Sequence, residues 1–171
     1  MNNANLEIDF SIDFQYAHEP TDGEHIPSKE KINHWLSAAR NAIPETISPD
    51  QAALVIRFIS KEESTELNEH FRHKIGPTNV LAFEDKPLAG LSADTLGDLA
   101  ICVELVAEEA QAQGKCVEAH WAHLIIHGFL HLMGYDHIHE EDAMVMEKQE
   151  TQILLSLGFP DPYLTATGTS N

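Results

Sequence analysis

Cysteine is scarce: Cys102 and Cys116 are the only two. Two cysteines cannot build a disulfide framework, and they argue against a Cys₄ or Cys₂His₂ zinc site. Basic residues are scarce as well, with ten Lys and Arg against 28 Asp and Glu, a net charge of −18. Nonspecific phosphate binding depends on Lys and Arg, so this balance disfavours bulk nucleic acid and membrane surfaces. No apolar run approaches the ~18–20 residues that span a bilayer. The longest, Ala119 to Met133, is interrupted by His120, His123, His127 and His131. The N-terminus, Met1 to Asn5, has neither a basic start nor an apolar signal stretch, so a cytoplasmic chain with reduced thiols is expected.

What is present fits one globular unit. The chain has 171 residues, 43% of them apolar and 22% charged, ordinary values for a single domain. Residues 1–163 are expected to form that domain, and 164–171 (LTATGTSN) a disordered tail. Leu6, Ile8, Phe10, Ile12 and Phe14 alternate with polar residues and predict a strand with one buried face. Ser28 caps a helix carrying Ile32, Trp35, Leu36 and Ala39, and Ala52–Ile59 reads as a second strand. Ser60 and Glu63 form a capping box, opening a helix with Leu67 and Phe71 inward that Gly76-Pro77 breaks. Short strands follow at 79–83 and 96–103, the latter apolar enough to be central. Three helices then end at glycines: 104–113 at Gly114, 117–133 at Gly134 and 140–157 at Gly158. The order β-α-β-α-β-β-α-α-α predicts an α+β fold with a small sheet packed by helices.

Eleven histidines occur, and they cluster. His127 and His131 lie four apart, one turn from each other on a single helix face, the spacing at which a helix presents two metal ligands. Gly134 stops the helix, and three residues later His137 can swing back over the same face. His127-x3-His131-x2-Gly134-x2-His137 has the ligand spacing of the metzincin zinc proteases. Three imidazoles leave one tetrahedral position open, as catalytic rather than structural zinc sites do. Zn²⁺ suits such a set best, although Ni²⁺, Co²⁺ and Cu²⁺ also bind imidazole. The peptidases place a glutamate base directly after the first histidine. Here that residue is Gly128, which disfavours peptide hydrolysis. His120 and His123 share the face, either lining the approach to the site or forming the wetter edge of the helix. The one local basic spot is His70-Phe71-Arg72-His73-Lys74. It reads equally as a phosphate clamp or as cations complementing a helix end.

The segment from His127 to His137, HGFLHLMGYDH, resembles the signature of the YbeY family of bacterial endoribonucleases. Leu67-Asn68-x3-Arg72 with Thr78-Asn79-Val80-Leu81-Ala82-Phe83, and Leu96-Gly97-Asp98-Leu99-Ala100-Ile101-Cys102, resemble two further blocks of that family. Ala82 stands where serine is usual, and Glu84 where proline often follows. The resemblance covers about residues 6–163. It implies a mixed sheet packed by helices and one Zn²⁺ per chain held by His127, His131 and His137. It also implies a catalytic role for Arg72 and His127. The implied activity is metal-dependent cleavage of single-stranded RNA, in 3′-end maturation of small-subunit ribosomal RNA and in ribosome quality control. Implied partners are the ribosome, a small-subunit ribosomal protein and a ribosome-associated GTPase, with the chain itself a monomer. Two rivals stand beside this reading. One is a metzincin-like peptidase. The other is a non-catalytic ribosome assembly factor with a structural zinc, for which Asp136 would be a fourth ligand.

Overall fold

Hydrophobic alternation and helix caps place most elements where the sequence predicts them. The computed structural model describes residues 10–47, 52–85 and 95–164. It runs β1 (Ser11–Tyr16), α1 (Lys29–Ala42), β2 (Ala53–Ile59), α2 (Lys61–Arg72), β3 (Val80–Glu84), β4 (Gly97–Cys102), α3 (Val103–Gln113), α4 (Val117–Leu132) and α5 (Glu140–Ser156). The start of the alternating N-terminal segment, and nearly all of the expected tail, lie outside the described residues. No helix among the described residues is long and apolar enough to cross a membrane.

The four strands form one mixed sheet in the order β1-β2-β4-β3. β1, β2 and β4 are parallel, with Ile12 opposite Leu54 and Ile56 opposite Leu99. β3 runs antiparallel on the edge, with Ala82 opposite Leu99. β4 is therefore interior, as its apolar run predicts. Successive side chains of a strand point to opposite faces. Leu54, Ile56, Phe58, Leu99 and Ile101 accordingly join the main core with residues of α1, α4 and α5. Ile59, Leu81, Ala100 and Cys102 form a smaller cluster on the other face with Leu67 of α2. The architecture is a single small α+β domain in which α4, apolar almost all round, runs through the main core.

Two local expectations are corrected. α2 ends at Arg72, well before Gly76, because His73 takes a left-handed conformation (φ 57°) and its N–H bonds back to the Asn68 carbonyl. Phe71 is half exposed rather than inward. The buried face of α2 is polar instead: Ser64 Oγ donates to Thr78 O (2.7 Å) and Asn68 Nδ2 to Gly76 O (2.8 Å). These bonds pin the loop that feeds β3, and Phe71 is left leaning edge-on against Phe83.

Candidate metal centre and substrate groove

α4 carries four histidines along one face, and each meets a different environment. His127 and His131 face each other across one turn, with Nε2 atoms 3.1 Å apart. The chain then reverses at Gly134, whose φ of 93° favours a residue without Cβ. Gly134 N–H bonds to His131 O and Tyr135 N–H to Leu130 O, both at 3.0 Å. Tyr135 Oη donates to Glu45 and anchors the turn. Asp136 Oδ1 accepts from the backbone N–H of His137 (2.6 Å) and of Ile138 (3.1 Å). That cap brings the His137 ring within 4.9 Å of the His131 ring.

The ligand atoms of His127, His131 and His137 all lie within 4.8 Å of one another. Two nitrogens bound tetrahedrally to one zinc at 2.0–2.1 Å would sit about 3.3 Å apart, close to the separation found. Burial, then the neighbouring imidazoles of His127 and His137, push the His131 pKa down to about 4. A bare lone pair near neutral pH is what a metal ligand requires. The trio could thus hold a metal ion. Asp136 is not among the atoms that converge with the trio, and its Oδ1 is bonded to the turn.

Glu150 is the residue that sequence reasoning missed. It is fully buried on α5. It accepts from His127 Nδ1 (2.5 Å), His123 Nε2 (2.9 Å) and the Tyr163 hydroxyl. Burial alone would raise its pKa, but these donors reverse the effect and bring it down to about 2. A signal was present: Glu150 shares its helix face with Met146, Ile153 and Leu154, an acid in an apolar stripe. His120 is corrected in the same way. It is 4% exposed, not on a wet edge, and Glu109 Oε1 accepts from its Nε2 (2.9 Å) and from Asn79 Nδ2 (3.0 Å). His123 does line a cavity beside the trio, together with His127, His137, Glu150 and Tyr163.

A larger cavity of about 830 Å³ unites the trio with the basic spot. His127, His131 and His137 line it, as do Arg72, Lys74 and the edge strand β3. Arg72 Nη2 donates to Ala82 O (2.7 Å), and its guanidinium lies 5.1 Å from the Phe83 ring centre. Oriented this way, it keeps further N–H groups for an anion. Arg72 lines the same cavity as the histidines. Gly128 lines this cavity too, and a Cβ there would meet Leu99 Cδ2 at 2.7 Å and Val80 Cγ2 at 3.4 Å. A side chain at this position would therefore crowd the sheet.

The family model for endoribonuclease YbeY matches residues 17–158. Endoribonuclease YbeY proteins of two Coxiella burnetii strains, Dugway 5J108-111 and RSA 493 / Nine Mile phase I, are each 57% identical over 153 residues. Those matches cover 90% of this chain and 97% of each relative. The solution structure of a Thermotoga maritima protein superposes with a TM-score of 0.52 at 26% identity, covering 82% of this chain and 86% of that one.

Proposed function

The chain belongs to the endoribonuclease YbeY family, and from that premise we propose that it is a zinc-dependent enzyme cutting single-stranded RNA. Its role is 3′-end maturation of small-subunit ribosomal RNA and ribosome quality control. The observation that carries this reading is the shared cavity, which is lined by three converging imidazoles and by an oriented guanidinium. His127, His131 and His137 hold one zinc per chain. When bound, zinc supplies a Lewis acid beside the scissile phosphodiester. Arg72 grips nonbridging phosphate oxygens with its free N–H groups, a planar fork that suits phosphate better than a point charge does. Arg72 and His127 are the catalytic assignments. Arg72 neutralises the charge that grows on the phosphoryl group, and His127 positions the metal there.

A net charge of −18 leaves Arg72 and Lys74 as the cations of the groove, so affinity for free RNA should be modest. The acidic remainder complements a basic small-subunit ribosomal protein and selects against naked nucleic acid. In this reading a monomer acts on the ribosome, together with a ribosome-associated GTPase. The peptidase alternative loses its support twice: position 128 is glycine, and its Cβ direction is occupied by the sheet.

The test measures zinc content and cutting of a short single-stranded RNA by wild type and by His131→Ala. Wild type should carry one zinc and cut, and the variant should lose both. Full-rate RNA cutting by zinc-free protein would overturn the reading. Chelator-sensitive casein hydrolysis without RNA cleavage would replace it with the peptidase.

A further inference from the structure

A buried carboxylate needs a reason. Leaving one ionised and unpaired inside a protein costs several kcal/mol, yet Glu150 has no exposed surface. Its three donors offset that cost, and they also constrain the chemistry of His127. An ionised carboxylate only accepts hydrogen bonds. With His123 and the Tyr163 hydroxyl on the same carboxylate, His127 Nδ1, 2.5 Å from Glu150 Oε1, is placed to donate its ring proton there. Nε2 is then bare, and Nε2 is the atom turned toward His131. The same carboxylate holds His123 through Nε2 and is itself held by the Tyr163 hydroxyl. Tyr163 lies in the turn after α5, which Lys115 fastens to the body through Pro162 O at 2.7 Å.

We propose that Glu150 is the positioning residue of the metal centre, fixing the His127 tautomer and ring angle, and that Tyr163 holds Glu150 in place, coupling the C-terminal turn to metal affinity. Carboxylates behind a ligating histidine raise its basicity, and their loss typically weakens metal binding 10–100-fold. The inference rests on the metal reading of the trio. A competing use of the same atoms is a second cation among His123, His127 and Glu150, whose ligand atoms also fall within 4.8 Å of one another. That arrangement would have to remove the proton from His127 Nδ1 and the donors from Glu150, so the single-metal arrangement is favoured.

The experiment uses Glu150→Gln and Tyr163→Phe in the full chain. Zinc affinity is read by chelator competition, zinc stoichiometry by elemental analysis, and histidine tautomers by ¹⁵N NMR of the metal-free protein. Expected are one zinc per wild-type chain and a proton on His127 Nδ1. Glu150→Gln should weaken zinc binding about 10–100-fold while the far-ultraviolet circular dichroism stays native, and the His127 tautomers should mix. Tyr163→Phe should weaken binding several-fold in the same direction. Should Glu150→Gln not fold, Tyr163→Phe, which alters a partly exposed side chain, decides alone. Wild-type zinc affinity in the folded variants, with His127 still Nδ1-protonated, overturns this inference and spares the metal reading. A wild-type protein that binds no zinc overturns the metal reading itself. Two zincs per wild-type chain, falling to one in Glu150→Gln, makes Glu150 a ligand instead.

Discussion

Replacing Gly128 by alanine tests how closely the ligand helix is pressed onto the sheet. In an ordinary exposed helix this change stabilises by about 1 kcal/mol. Here the new methyl would lie 2.7 and 3.3 Å from the two Leu99 methyls and 3.4 Å from Val80 Cγ2. Leu99 has no exposed surface and sits mid-strand on β4, so it has little room to turn away. Overpacking of this kind costs about 1–3 kcal/mol. Subtracting the helix gain leaves a net loss of about 1 kcal/mol, or roughly 0.5 M in the urea midpoint at a typical slope. Urea unfolding of metal-free protein measures it without interference from ligand binding. Leu99→Ala supplies the control. Alone it should cost about 2–5 kcal/mol, but it opens the space the new methyl needs. In that background Gly128→Ala should turn stabilising by about 1 kcal/mol, a coupling of about 2 kcal/mol across the pair. Stabilisation by Gly128→Ala in the native background, with no coupling to Leu99, would refute the close packing and with it the account of why this position holds no glutamate.

Arg72 contributes no lone pair to a metal, so Arg72→Ala should keep its zinc while RNA cleavage drops by about 10²–10³. Arg72→Lys should recover part of the rate, and unchanged cleavage in Arg72→Ala would remove the phosphate role. Asp98 is exposed on β4, yet partial desolvation, then repulsion from Asp85 and Asp13, raise its pKa above the ordinary 3.8. The fold thus disfavours the charged form. That penalty is absent below pH 3.8 and complete once pH exceeds the raised value. Asp98→Asn should therefore raise the melting temperature at pH 7 and have no effect at pH 3, and equal gains at both pH values would contradict the sign.

Much of the molecule was legible in the chain because the signals are local. Ser28 and Ser60 cap helices whose first turns lie within three residues of them, and Gly114, Gly134 and Gly158 all take the positive φ that ends a helix. The convergence of the three histidines was legible for the same reason, since one helical turn and one glycine reversal set the separation of His127, His131 and His137. Arg72 could be placed near them only through the family resemblance, because fifty-five residues separate it from His127.

What the sequence could not disclose depends on packing between elements far apart in the chain. Phe71 follows helical periodicity yet lies outward, because Ser64 and Asn68 take the buried face of α2 to satisfy backbone groups of the following loop. His120 looks like a surface histidine on α4 until Glu109 of α3 closes over it. Glu150 falls in the apolar stripe of α5, which hints at burial, but no local rule says which partner it meets there. Only the docking of α5 against α4 puts it behind His127. Local geometry follows from steric limits and hydrogen bonds a few residues long. The protonation and orientation of a buried charge follow from whatever the tertiary fold places within three ångströms of it.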